Sequence, residues 1–186
     1  MLDNTRLHAP TREKRALMFG ISLSGIDPTF DYIVSILAPK NVRYTASQYA
    51  DFTAMKQDFE NTGYLSINVE HSDKTIFGAP STNWQFRAWH DSQHIAANAD
   101  FSPSGERIAA NRQMDQIVFL NGPSAKDKLR WVALVDCEVN GQGEYFAEHG
   151  TFPNDQRAFA KDWLLEKWGL DVASFPKTLD GVQVEY

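Results

Sequence analysis

Cysteine is nearly absent from this chain: Cys137 stands alone. A single thiol excludes an internal disulfide and fits a reducing cytosol. Long apolar runs are missing too. No window approaches the roughly eighteen uninterrupted apolar residues of a membrane-spanning helix, so no membrane partner is expected. The opening stretch, MLDNTRLHAPTREKRALMFG, is charged and lacks the apolar centre of a secretory signal, which predicts a cytoplasmic protein. Basic charge is also sparse. Beyond REKR at 12–15 there is no Lys/Arg run and the formal net charge is −6, so a phosphate-tracking surface, and with it a nucleic-acid partner, is not expected. There is no internal repeat, no low-complexity segment, no P-loop and no Ser/His/Asp order of a nucleophilic triad.

What is present suits a folded protein. Hydrophobic residues make up 42% of the 186 and aromatics 12%, enough for one real core. No linker divides the chain, so residues 16–186 read as one domain behind a flexible arm at 1–15. In GIDPTFDYIVSILAPK, Asp27 is a helix N-cap, Pro28 the first helical residue and Pro39 the stop. In VRYTASQYADFTAMKQDFENTGY, Thr45 and Gln48 have capping-box spacing and Gly63 ends the helix. YLSINVEHSDKTIFG alternates at Leu65, Ile67 and Val69, turns near Ser72-Asp73 and resumes at Ile76 and Phe77, the pattern of a β-hairpin. Thr82 or Asn83 can then cap a helix through WQFRAWHDSQHIAAN, and Ser102-Pro103 opens another that stops at Asn121-Gly122-Pro123. A long helix over 126–150, weakened at Gly141 and Gly143, precedes a last one, QRAFAKDWLLEKW, closed by Gly169. The tail FPKTLDGVQVEY reads as irregular or as a short final strand. The fold class is mainly α (α+β): a single helical domain of about five to six helices with one small β-hairpin.

Chemistry concentrates in WHDSQHIAANADFSPSGERIAAN. His90 and His94 are four residues apart and so share one helix face, where two neutral imidazoles can hold one ion. Glu106 is the first candidate for a third ligand, because the connection ADFSPSG folds the next helix back beside the first. With Ser102 as N-cap, Glu106 falls one position beyond the capping-box place, although attraction to the helix N-terminus is an alternative account. Glu138 shares an apolar face with Trp131, Leu134, Val135 and Tyr145, and there needs an arginine or a metal. Asp136, Glu144 and Glu148 read as a solvated face. His71 and His149 sit at a turn and a helix end, and His8 belongs to the arm. A histidine pair at this spacing also arises by chance, so a structural, hydrogen-bonded pair is the competing account. Trp84, Phe86 and Trp89 read as core, and Cys137 as a buried thiol.

These residues carry a resemblance. HDSQH resembles the H-E-x-x-H helix of zinc peptidases, with Asp91 where those enzymes have glutamate. The order YLSINVE, WHDSQH, GERIAANRQMDQI, from Tyr64 to Ile117, resembles the minimal gluzincin peptidases. In these an edge strand precedes the two-histidine helix and the next helix supplies a glutamate ligand. The resemblance implies His90, His94 and Glu106 as metal ligands, zinc first with iron or manganese as alternatives, and Asp91 as general base. It also implies that the strand docks an extended peptide or protein substrate through its backbone. Aspartate reaches roughly 1.5 Å less far than glutamate, a difference that can cost a general base about a hundredfold. The whole chain also resembles tailed-bacteriophage proteins of uncharacterised function with a similar WHD…H…DFS…GE segment, which would place it in a host cytoplasm.

Three functions compete on this reading. The first is a zinc hydrolase of an amide or ester bond. The second is a ferritin-like carboxylate/histidine site using His90, His94, Glu106 and Glu138, although the paired Glu-x-x-His elements of such sites are missing. A phosphohydrolase of the His90-Asp91 doublet type would want further His and Asp ligands. The third is a non-enzymatic interaction protein, a phage accessory factor, in which the histidine pair is structural.

Overall fold

The computed structural model describes residues 21–180, so the arm, His8 and residues 181–186 lie outside the described residues. The chain runs through α1 (Pro28–Leu37), β1 (Val42–Thr45), α2 (Phe52–Thr62), β2 (Leu65–Asn68), α3 (Pro80–Ala97) and α4 (Pro103–Val118). Then α5 (Ala125–Asp136) continues through a π-helical turn (Cys137–Gly141) into α6 (Gln142–His149), followed by α7 (Gln156–Trp168) and a 3-10 turn (Val172–Ser174). This is the expected mainly α fold with one small sheet. No helix among the described residues is long and apolar enough to cross a membrane.

The sheet differs from the expected hairpin. β2 pairs in parallel with β1, in the register Val42↔Leu65 to Thr45↔Asn68. A parallel pair needs a crossover, and α2 supplies it, so residues 42–68 form a small βαβ unit. The alternation at Leu65 and Ile67 does mark a strand, but its partner lies upstream. Ile76 and Phe77 instead enter the main core, and the Ile76 carbonyl accepts from the Ile26 N–H at 2.8 Å. The capping-box reading at Thr45 fails for the same reason. Thr45 ends β1, its hydroxyl accepting from the Ser47 N–H (3.1 Å), while Asp51 caps α2 by accepting from the Ala54 N–H (2.9 Å).

Other ends follow local chemistry more directly. Asp27 caps α1 with Pro28 behind it, Ser102 caps α4, and Gly63 and Gly169 close α2 and α7 in the left-handed conformation. The start of α3 departs from expectation. Its N-cap is Ala79, without a side-chain bond, and Pro80 opens the first turn. Thr82 and Asn83 are buried within the helix, where the Asn83 amide donates to the Ser72 hydroxyl at 3.0 Å.

Two cores result. The larger joins α1, α3, α4, α5 and α7 around Phe30, Trp89, Trp131 and Leu164, all fully buried. A buried polar knot locks it: Arg130 Nε donates to Asp27 and Nη2 to Thr29 Oγ1 (3.1 Å), which also accepts from Trp131 Nε1 (3.0 Å). The smaller core, Met55, Leu65, Ile67 and Ala88, sets the βαβ unit against α3. Helix α3 therefore has β2 on one side and α4 on the other.

Asp31 makes stability depend on pH. Burial pushes its carboxyl up from the ordinary 3.8 to about 7, against the Gly78 N–H it accepts from at 2.8 Å. Between those values the folded state holds a proton that the unfolded chain has released. Stability is therefore greatest below about pH 4 for this group and falls as pH rises through about 7. Asp31→Asn, which keeps an acceptor for Gly78, is expected to flatten this fall, as read from urea midpoints at pH 5, 6, 7 and 8. Parallel pH profiles for variant and wild type would contradict it.

Candidate metal centre

The connection between α3 and α4 fixes the geometry. Asn98 ends α3 in the left-handed conformation (φ 50°). The Asp100 carboxylate then accepts from the Ser102 N–H (3.1 Å), and Ser102 caps α4. Gly105 is essential to the approach. A Cβ there would lie 1.8 Å from the Asp100 carbonyl oxygen, so only glycine lets the first turn of α4 rest on this backbone. Farther along, Trp89 Nε1 donates to Gln116 Oε1 at 2.6 Å, which holds the helices side by side.

On α3, His90 and His94 are about 40° apart around the axis and one turn apart along it. Their Nε2 atoms are 3.0 Å from each other. Glu106, in the first turn of α4, brings Oε2 to 2.9 Å from His90 Nε2 and 3.5 Å from His94 Nε2. The three ligand atoms lie within 4.8 Å of one another, a group that could hold a metal ion. His94 is fully buried, the His90 side chain is 14% exposed and Glu106 36%, so the cluster opens outward along Glu106.

The proton arrangement matters more than the distances. His94 Nδ1 is 3.0 Å from the Ala99 carbonyl, which can only accept, so His94 carries its proton on Nδ1. His90 Nδ1 is 2.8 Å from Gln113 Oε1 and is likewise the donor in that bond. Both imidazoles then present Nε2 lone pairs to the Glu106 carboxylate. Three acceptors facing one point require a cation between them, either a metal ion or a proton. Without a metal the proton falls to His90. Burial of its ring acts to lower its pKa, but the bond and charge of Glu106 outweigh this and hold it above the ordinary value. Burial likewise favours neutral Glu106, yet the two histidines bring its carboxyl down to about 2.

The remaining predicted residues divide. Asp91 is half-buried beside the cluster and makes no hydrogen bond among the described residues. Burial raises its carboxyl to about 6, against the pull of His90 and His94. Glu138 does not join the group. It sits in the π-helical turn, accepts from Gln142 Nε2 at 2.8 Å, and burial pushes it up to about 8 despite nearby Arg87. A four-ligand ferritin-like arrangement therefore lacks its fourth member here. Asp136 is no solvated acid: it accepts from Trp168 Nε1 (3.0 Å) and Asn140 Nδ2 (2.7 Å). Trp89, Phe86 and Cys137 are buried as expected.

Sequence reading passed over Gln113, whose signal was its position seven residues after Glu106, two turns along the same face of α4. It also passed over Ala99, which acts through its backbone and so leaves no signal. The strand proposed to dock a substrate has one edge paired and the other partly covered. One side of β2 is β1; on the other, Ser66 N–H donates to Tyr49 Oη (3.0 Å) and the Asn68 carbonyl accepts from Arg87 Nη1 (2.8 Å). The chain matches no protein-family model, no curated protein and no solved structure.

Gln113 Nε2 is buried without a partner, so this amide is retained at a cost to the fold. Gln113→Leu removes both the unpaired amide nitrogen and the acceptor of His90 Nδ1, and is expected to weaken metal affinity about 10–100-fold. Competition against a chromophoric chelator measures the affinity. Equal affinity in variant and wild type would refute the positioning role of Gln113.

Proposed function

We propose that the chain is a metal-dependent hydrolase of an amide or ester bond, with zinc held by His90 Nε2, His94 Nε2 and Glu106 Oε2. The observation that carries this reading is the convergence of three acceptors, two of them imidazole nitrogens whose opposite protons are already committed. Two nitrogens and one carboxylate oxygen form a donor set suited to zinc, leaving a fourth position open, whereas iron and manganese more often add carboxylates. A zinc ion there would supply Lewis acidity and lower the pKa of a coordinated water toward about 7. Asp91 is the group left to receive a proton. It makes no hydrogen bond among the described residues, and burial raises its carboxyl above the ordinary value in the metal-free protein, toward the working range of a general base. Its position follows His90, so it leaves the helix on the same polar face as both ligands.

The order of β2, α3 and α4 is the order on which the gluzincin resemblance rests, and it supports this reading. The paired and partly covered edges of β2 count against strand-type docking of a long peptide, so a compact amide or ester fits better. A purely structural His90–Glu106 ion pair, stabilised by the shared proton, is the competing account.

Metal analysis separates the two. Protein purified without chelator, or restored with zinc, is expected to carry about one metal ion per chain, and the His90→Ala/His94→Ala double variant none. No uptake of zinc, iron or manganese by the wild type would leave the ion-pair account standing. Asp91→Asn is expected to keep the metal and lose about a hundredfold or more in hydrolysis of a mixed peptide and ester library. Undiminished hydrolysis by this variant would remove Asp91 from the reaction.

A further inference from the structure

Four polar side chains share one face of α3. Taking about 100° per residue, Arg87, His90, Asp91 and His94 fall within about 100° of arc, between the side that packs on β2 and the side that packs on α4. Arg87 lies one turn N-terminal of the histidines and is half-buried. Its Nη1 donates to two backbone carbonyls at the end of β2, Asn68 at 2.8 Å and Glu70 at 2.9 Å. That anchors the guanidinium and uses one nitrogen only. Its Nε and Nη2 have no hydrogen-bond partner among the described residues. Asp91 and Glu138 are both close enough to act on its charge, yet neither is within ion-pair distance. Burial pushes the Glu138 carboxyl up to about 8, which leaves the Asp91 carboxylate as the main anion acting on the arginine's charge.

An arginine held by one nitrogen, with no partner on its Nε/Nη2 edge among the described residues, presents two parallel N–H donors in one plane. That fork matches the two oxygens of a carboxylate. We infer that Arg87 receives a carboxylate of the substrate through its Nε/Nη2 edge, so that the compound cleaved at the adjacent centre carries a free carboxylate close to its scissile bond. This inference rests on the metal-site reading of His90, His94 and Glu106. It narrows the substrate class from amides and esters in general to those of acidic acyl or amino-acid units. It also gives Arg87 two tasks, closing the end of β2 and selecting the ligand.

The test uses the full chain loaded with Co(II), whose thiolate charge-transfer absorption reports binding. The probes are 3-mercaptopropionate and its methyl ester, which share the thiol and differ in the carboxylate. The acid is expected to bind about tenfold or more tightly than the ester in the wild type. Arg87→Met should erase that preference without changing Co(II) stoichiometry. Arg87→Lys, which keeps the charge but not the fork, should lose most of it. Equal binding of acid and ester by the wild type, or a preference undiminished in either variant, overturns the inference and leaves the metal site intact. Failure of the wild type to take up Co(II) overturns the metal-site reading, and the inference falls with it.

Discussion

The seating of the first turn of α4 on the Asp100 backbone at Gly105 is the constraint on which the site depends. A side chain at position 105 would push this turn off the connection, and Glu106, the next residue, would move with it. Here a backbone carbonyl occupies the volume of the missing Cβ, and Ser102 and Asp100 hold the connection in place around it. The same short connection supplies the Ala99 carbonyl that fixes the His94 proton. One loop thus sets both the distance and the protonation pattern. Trp89 and Gln116 repeat the clamp farther along the helix pair.

Around this pair the protein divides its polar groups by role. The Asp27–Arg130–Thr29–Trp131 knot is fully satisfied and fully internal, a structural lock between the first helix and α5. Where α3 and α4 meet the reverse holds among the described residues: Asp91 makes no hydrogen bond, Arg87 uses one nitrogen, and Gln113 of α4 leaves its amide nitrogen unpaired. A buried polar side-chain atom without a partner costs stability, and the described residues hold two, Gln113 Nε2 beside the cluster and Gln93 Oε1 on α3. At the end of the π-helical turn Gly141 lies under the Trp163 ring, where a Cβ would come within 2.8 Å of ring atoms.

Much of the helical fold is legible because its signals are local. Asp27-Pro28, Ser102-Pro103, Gly63 and Gly169 each act within a turn, so their boundaries survive any tertiary arrangement. The sheet was misread because strand partnership is not local. Alternation at Leu65 and Ile67 states that a strand exists, and says nothing of whether Val42 or Ile76 lies beside it. Thr45 misled through a spacing that fits a capping box as well as a turn.

The sequence by itself determined that His90 and His94 share a face and that Glu106 starts the following helix, because helical periodicity and capping settle both. It could not decide whether Glu138 belongs with them, since that depends on how a helix two connections after α3 packs. Tertiary structure kept Glu138 out of the cluster, leaving it to its own helical neighbour Gln142, and brought Gln113 to His90. It also decided the proton positions, because a tautomer is set by whichever acceptor the fold places at Nδ1, and the Ala99 backbone carbonyl cannot be read from side-chain identity.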